Sequence, residues 1–449
     1  MQEVTLVEVL DAREKRVNLQ QELLKEFQCP LLCFTMNIAG PVKTSALIQR
    51  GFQAGLTALE ETIKPSAIRH RQFIDAVTGY EAFFAVDMDA DALKQITAGI
   101  EDLSPLGRLF DMDVIDTDGT KLSRKVERGC IVCGAPGRGC AAGRLHSVKE
   151  LQTATDSILK HHFLVADRNR VAELAVQSLI DEVNTTPKPG LVDRRNNGSH
   201  TDMNRCMFLK SANALTPYFI EAHSIGQATK QATPEETFAL LKQAGVQAER
   251  TMYRVTNGVN THKGIIYSMG ILCGALGRLW APEMPMPDLK HLLSESATMA
   301  GSAVTSDFQS MTGSTAGERL YLSHGLTGIR GEVADGFQSV TSIGLPIYQD
   351  GLKKGFSKND AGNLALLHLI ASVKDTNLYH RGGVDGADFA ATTVRSLLET
   401  TPYPTEEQIA TLDDCFIAKN LSPGGCADLL AITYFLHSLA QEDFHLHKI

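Results

Sequence analysis

Residues 187–204 read Pro187-Lys-Pro-Gly-Leu-Val-Asp-Arg-Arg-Asn-Asn-Gly-Ser-His-Thr-Asp-Met-Asn204. Two prolines and two glycines forbid a helix or a long strand here. Around them stand Asp193, Arg194, Arg195, Asn196, Asn197, His200, Asp202 and Asn204. A loop so dense in acids, bases and amides costs backbone order and returns little core. Segments of that kind gather where groups converge on a polar ligand. A solvated surface loop is the plainer reading, and further polar, glycine-rich blocks downstream weigh against it.

Helical periodicity holds on both sides of this loop. Upstream, Val171, Ala172, Ala175, Val176, Leu179, Ile180 and Val183 mark one helix face. Downstream, the spacing predicts helices over Phe208–Ala222, Pro234–Gln247, Gly264–Leu279, Asp288–Met299, Ala361–Ser372, Phe389–Glu399, Glu406–Lys419 and Ala427–Leu439. Residues 161–449 therefore read as an all-α domain with its function in interhelical loops. Residues 1–160 read differently. Helices over Val4–Phe27, Ala46–Ile63 and Ala90–Leu103 alternate with strands over Leu31–Ile38, Glu81–Val86 and Leu109–Ile115. That order predicts a small α/β (α+β) layer domain. Val148–His162 reads as a connecting helix or linker, with the boundary near residue 160.

The chain has 449 residues, a net charge of -9 and nine cysteines. The acidic balance argues against a general nucleic-acid or anionic-membrane binder, while leaving room for a local basic pocket. The charged opening (Glu3, Glu8, Asp11, Arg13, Glu14, Lys15) lacks the apolar core of a secretory signal. The apolar run Gly264–Leu279 is too short for a membrane span and reads as a buried helix. Reduced thiols and a cytoplasmic location are the expectation. Cys130-x2-Cys133, Cys140 and His146 have zinc-ligand spacing, with ordinary reduced cysteines in a compact loop as the plainer reading.

In the first domain Gly107-Arg-Leu-Phe-Asp-Met-Asp-Val114 carries the chemistry. Residues two apart on a strand share a face, so Asp111 and Asp113 present paired carboxylates. Such a pair repels unless a cation sits between, and Mg²⁺ bridging phosphate oxygens is its natural occupant. Asp87-Met-Asp89 repeats the spacing, but Asp111 and Asp113 are preferred because a strand leads into them and a basic run from Lys121 to Lys149 follows.

In the second domain four more blocks join the opening loop: Asn257–Gly264, Thr327–Gly336, Asp375–Asp388 and Ser422–Asp428. His262 and Lys263 at a helix start suit a phosphate. Gly424 and Gly425 let backbone amides approach a ligand before the last long helix. Neither a G-x-x-x-x-G-K-[ST] loop nor a strand-borne G-x-G-x-x-G is present, which sets aside ordinary P-loop and Rossmann enzymes.

These blocks carry a resemblance. Thr186–Met203, Gly258–Gly264, Arg330-Gly-Glu332 with Asp335-Gly336, and Ser422–Leu430 resemble the triphosphoribosyl-dephospho-CoA synthases. Pro105–Val114 and the Cys130…Cys133…Cys140…His146 stretch are similar to the citrate lyase holo-acyl-carrier-protein synthases. Cys426 stands where that first family has Ser; a small residue still fits the turn. The resemblance implies a bifunctional transferase with a nucleotidyltransferase-like first domain. The second domain would join ATP to 3′-dephospho-CoA and release adenine. The first would transfer the phosphoribosyl-dephospho-CoA group to a serine of the citrate lyase acyl carrier protein (gamma) subunit and release pyrophosphate.

Displacing adenine needs an acid for the purine, a base for the incoming hydroxyl and nearby negative charge. Asp193, His200, Glu332 and Asp335 are the candidates, without individual roles. Lys188, Arg194, His262, Lys263, Arg330, Arg381, Gly424 and Gly425 are candidates for holding substrate phosphates. In the first domain Asp111 and Asp113 would hold Mg²⁺, and Arg108 and Arg124 would neutralise pyrophosphate. Three alternatives stand beside this reading: a synthase serving malonate decarboxylase, a non-catalytic zinc-knuckle module recruiting the carrier, and a nucleic-acid nucleotidyltransferase, which the acidic balance disfavours.

Overall fold

In the computed structural model, residues 2–310, 312–314 and 316–442 are described. Internal contacts divide the chain into a first unit up to Ala166, joined by Pro282–Pro285, and a second unit of Asp167–Ala281 and Met286–Glu442.

The first unit is built from α1 (Leu6–Phe27), β1 (Leu31–Met36), α2 (Ala46–Thr62), β2 (Ile68–Ala76), β3 (Gly79–Val86), α3 (Ala90–Asp102), β4 (Phe110–Ile115) and the short α4 (Gly137–Gly143). Its four strands form one sheet in the order β2-β3-β1-β4, with every pair antiparallel. Strand β2 escapes a pattern search because Arg69, Arg71 and Asp75 interrupt its apolar residues. It lies at the sheet edge, where charge is tolerated and discourages further pairing.

The sheet has two covered faces. Leu32, Phe34, Phe84, Met112 and Val114 pack with residues of α2 and α3, and Phe34 stacks on Phe52 at 4.8 Å. Leu31, Cys33, Phe83, Ala85 and Ile115 pack against Leu23 of α1. Truncating Phe52, 1% exposed, to Ala would cost about 3–5 kcal/mol. The other edge strand, β4, has its free backbone groups satisfied by side chains. Lys94 Nζ donates to the Met112 carbonyl (2.9 Å), the Met112 N–H to Glu101 (2.8 Å) and Arg128 Nη1 to the Phe110 carbonyl (2.7 Å). Strand β4 is thereby held rigidly where it carries Asp111 and Asp113.

Helix α5 (Val148–Asn184) runs 37 residues without a break. No glycine or proline lies between its ends, so the connecting segment and the first helix of the second unit are one element. The division between units falls inside it, at Ala166.

The second unit continues with α6 (Arg205–Ala214), α7 (Thr216–Ala228), α8 (Pro234–Val255), α9 (Lys263–Leu279), α10 (Leu289–Gln309), α11 (Ala316–His324), α12 (Gly328–Ala334), α13 (Leu345–Lys353), α14 (Lys358–Ser372), α15 (Thr376–Thr400), α16 (Glu406–Ala418) and α17 (Gly424–Gln441). No strand occurs among its described residues. The expected single helix Phe208–Ala222 splits at Leu215, because Pro217 starts a new helix without needing an N–H. Helices α11, α12 and α13 are too short or too glycine-rich to show a period.

Helix α9 is the centre of this unit, and its apolar run packs inside protein. A Cβ on Gly277 would meet the His223 carbonyl at 2.1 Å, and one on Gly226 the Gly274 carbonyl at 2.0 Å. Glycines thus bring α7 and α9 to backbone contact. Among the described residues no helix is long and apolar enough to cross a membrane.

Candidate functional site

In the first unit the strand register sets the site. Thr35 of β1 stands between Glu81 of β3 and Asp111 of β4, and Cys33 stands opposite Asp113. Antiparallel partners share a face. Glu81, Asp111 and Asp113 therefore lie on one face, the one α1 partly covers. From α1, Arg16 binds the buried Glu81 with two bonds, of 2.8 and 2.6 Å. Lys121 pairs with Asp113 at 2.5 Å. Asp111 keeps contact with solvent, yet the surrounding protein desolvates it; that desolvation, then the Asp113 charge, raises its carboxyl above the ordinary range. The two acids thus remain under-neutralised. Glu81 and Arg16 were not singled out in the sequence, because a lone Glu in an apolar strand and one Arg on a charged helix carry no pattern.

The two arginines expected to meet pyrophosphate are engaged elsewhere. Arg124 pairs with Asp102 and lies 3.5 Å from the buried Glu101. Arg108 donates to the Gly129 carbonyl. Arg128 joins Glu101 at 2.9 Å and bonds the carbonyls of Gly107 and Phe110. In the same loop Cys130, Cys133, Cys140 and His146 gather, their ligand atoms all within 4.8 Å of one another.

In the second unit the opening loop is stitched shut by Asp193. Its Oδ2 accepts the Thr186 hydroxyl (2.8 Å) and Lys188 N–H (2.9 Å), and its Oδ1 the N–H groups of Arg195 (2.6 Å) and Asn196 (3.0 Å). Both oxygens are spent on the loop. Asp413 of α16 anchors the same loop, accepting Gly190 N–H at 2.9 Å, Asn196 Nδ2 at 2.7 Å and Arg195 Nη1 at 2.6 Å. Gly190 has φ 68° and no room for a Cβ, which would lie 2.0 Å from the Leu421 carbonyl.

Lys188, 1% exposed, donates to the Glu182 carbonyl at 2.8 Å and pairs with the Glu182 carboxylate. Arg194 is exposed and reaches Asn359 at 3.3 Å. His200 is wired on both nitrogens. Arg381 Nη2 donates to Nδ1 (2.9 Å), so the neutral ring carries its proton on Nε2 and donates it to Ser422 (2.9 Å). Burial, then the Arg381 charge, pulls His200 down to about 4. Arg381 also holds the Ser199 carbonyl and Asn420, each at 2.8 Å.

His262, 4% exposed, contacts Ser211 through Nδ1 at 2.8 Å, while its Nε2 finds no hydrogen-bond partner among the described residues. Burial, then the Lys188 charge, lowers it to about 3. Lys263 pairs with Glu249 at 3.1 Å, and Arg330 lies 3.6 Å from Asp307. Both cations are half-exposed.

The starts of α9, α15 and α17 lie against two carboxylates, Asp375 and Asp428. Asp375 caps α15 by accepting Asn377 N–H (2.7 Å) and Leu378 N–H (3.1 Å), and its other oxygen accepts Cys426 N–H (2.7 Å) at the start of α17. A Cβ on Gly425 would lie 3.0 Å from Asp375 Oδ2, one on Gly424 2.7 Å from Asn377, and one on Gly264 2.1 Å from Asp428 Oδ2. Asp428 retains some solvent contact but is enveloped by protein. Desolvation, then Glu182 and Asp375, pushes its carboxyl well above the ordinary range. Desolvation also raises Glu182 and Asp375.

A cavity of about 250 Å³ opens here, lined among others by Thr327, Glu332, Lys374, Asp375, Thr376 and Gly425. Glu332 accepts the Ser339 N–H at 3.2 Å and its hydroxyl. Asp335 is exposed at the end of α12. The structure thus gathers Glu332 and Gly425 with Asp375 and Lys374, and leaves Asp335, Lys263 and Arg330 off the cavity wall. Glu182 and Asp428 are not among the candidates drawn from the sequence. Asp428 stood inside a quoted block, whereas Glu182 sits in a helix with nothing beside it to mark it.

Comparison with known proteins agrees with two active units. The family model for ATP:dephospho-CoA triphosphoribosyl transferase matches residues 168–445, and that for apo-citrate lyase phosphoribosyl-dephospho-CoA transferase matches residues 4–162. A protein named CitXG from Haemophilus influenzae is 35% identical over 97% of this chain and 96% of its own length. A CitXG from Leuconostoc mesenteroides subsp. cremoris is 33% identical over 97% of both. A 2-(5''-triphosphoribosyl)-3'-dephosphocoenzyme-A synthase of Pectobacterium atrosepticum is 39% identical, covering 61% of this chain and 90% of its own length.

Proposed function

The chain belongs to the CitXG family of fused transferases, and on that premise we propose where each of its two reactions takes place. The second unit joins ATP to 3′-dephospho-CoA with loss of adenine. The ribose 2′-hydroxyl of dephospho-CoA attacks C1′ of the ATP ribose, the bond to adenine breaks, and the triphosphate stays intact. The first unit then passes the phosphoribosyl-dephospho-CoA group to a serine of the citrate lyase acyl carrier protein, releasing pyrophosphate. The observation that carries this reading is the single cavity lined by Glu332, Lys374, Asp375 and Gly425 at the α17 start.

Roles follow from the environments. Asp428, held protonated by burial and by its acidic neighbours, donates the proton that leaves with adenine. Glu332 accepts the proton of the incoming hydroxyl. Asp375 supplies negative charge beside the oxocarbenium-like centre. The uncapped N–H groups of Gly424 and Gly425 and the Lys374 ammonium bind phosphates, and Arg194, Lys263 and Arg330 lie further out as auxiliary cations. Asp193, Lys188, His200, His262 and Arg381 shape the loops and touch no phosphate.

In the first unit the nucleophile belongs to the carrier, so the enzyme needs no activated Ser or Cys. A divalent cation such as Mg²⁺, held by Asp111 and Asp113, would relieve their mutual repulsion and supply charge neutralisation to the polyphosphate. Lys121, beside Asp113, neutralises the departing pyrophosphate. Arg108 and Arg124 hold the loop that presents it. Paired acids on one strand of an antiparallel sheet support a nucleotidyltransferase-like reading of this unit.

Adenine release, followed by chromatography with ATP and Mg²⁺, tests the second unit. Adenine that forms only with 3′-dephospho-CoA is the expected result. ADP instead of adenine would reject the reading.

A further inference from the structure

Neither reaction uses Cys130, Cys133, Cys140 and His146. Their ligand atoms nevertheless gather within 4.8 Å of one another. His146 Nε2 lies 3.2 Å from Cys133 Sγ, and Cys133 Sγ 3.5 Å from Cys140 Sγ. A tetrahedral zinc with Zn–S near ~2.3 Å holds its ligand atoms ~3.8 Å apart, within the range spanned here. A disulfide would join only two of the four and explain neither the third thiol nor the imidazole.

The backbone is shaped for the same purpose. Gly134 takes φ 74°, a conformation side chains avoid, and turns the chain directly after Cys133. Its N–H returns to the Cys130 carbonyl at 2.9 Å, and Val132 N–H points at Cys130 Sγ at 3.4 Å. A bond of that kind stabilises a thiolate. Gly137 N–H bonds the Arg128 carbonyl at 2.9 Å, and Cys130 N–H the Ala135 carbonyl at 2.6 Å, which closes a small ribbon under the thiols.

This segment has little core of its own, with Leu122 and Ile131 only partly buried against the sheet. Among the described residues of 121–147, Cys140 is the buried one. A segment without a core of its own needs a staple, and a structural metal is the usual one.

We propose that Cys130, Cys133, Cys140 and His146 bind a structural Zn²⁺ that fixes the 121–147 segment against the start of β4. Four protein ligands leave no open position, so the ion is structural and not a Lewis acid for substrate. The fastening to β4 runs through Arg108, which donates to the Gly129 carbonyl, and Arg128, which bonds the carbonyls of Gly107 and Phe110. Phe110 immediately precedes Asp111, so the zinc loop sets the strand that carries the paired acids. The site is separate from those acids and from the divalent cation they would hold.

The test is the metal content of the full chain purified under reducing conditions, read independently of either reaction. Stoichiometric zinc is expected, retained in Asp111→Asn and lost in Cys133→Ser and Cys140→Ser. Cobalt exchanged into the wild-type chain should show tetrahedral ligand-field and thiolate charge-transfer absorption, both absent in Cys133→Ser. A chelator should open residues 121–147 to protease while adenine release persists, and added zinc should close them again. Metal-free protein with all nine thiols titratable, a Cys133–Cys140 disulfide, or zinc that survives Cys133→Ser would each overturn the proposal.

Discussion

Asp375 accepts the Cys426 N–H at 2.7 Å while capping its own helix, so one carboxylate ties the start of α15 to the start of α17. It joins two polar blocks that lie some fifty residues apart in the chain. Asp375→Ala removes a helix cap and strands a buried N–H. Its expected cost is about 2 kcal/mol in chemical denaturation, with adenine release lost. Transfer from a supplied intermediate to the carrier should persist.

Lys188 and Glu182 form a buried pair at the base of the opening loop. Removing one partner of such a pair leaves a charge without compensation and costs about 3–5 kcal/mol. Lys188→Met should therefore lower the unfolding midpoint sharply. A variant of unchanged stability with a raised KM for ATP would instead make Lys188 a phosphate ligand.

His200 and His262 are held neutral, at about 4 and about 3 against an ordinary 6.5. A histidine lowered in the fold binds its proton first in the unfolded chain. The stability it confers is complete above 6.5 and is lost as the pH falls towards the folded values. Unfolding free energy should decline below that point, and His262→Gln should flatten the decline. A stability curve level from pH 7 to about 5 would contradict this.

Much of this was legible in the sequence, for stated physical reasons. Alternation along β4 placed Asp111 and Asp113 on one face, and turn-forming residues marked the interhelical loops. What escaped had no local signature. β2 carries edge charges, α5 hides a unit boundary inside unbroken helix, and Glu81 matters through Arg16, a partner distant in sequence. Local spacing also could not show that Asp193 and Arg124 are consumed by internal hydrogen bonds.

Asp428→Asn keeps the side-chain shape and removes the acidic proton. Adenine release should fall about 100-fold with little change in the KM for ATP. The wild-type rate should decline as pH rises through the raised Asp428 value, and the residual rate of the variant should lose that limb. An unchanged pH profile would assign the proton to another group.

Two reactions assigned to two separate units should be separable by mutation. The most direct measurement is both half-reactions on Asp111→Asn: adenine release from ATP and 3′-dephospho-CoA, and labelling of the apo acyl carrier protein. Adenine release at the wild-type rate and no labelled carrier are expected. Loss of both activities in a folded variant, or carrier labelling that survives, would contradict that separation.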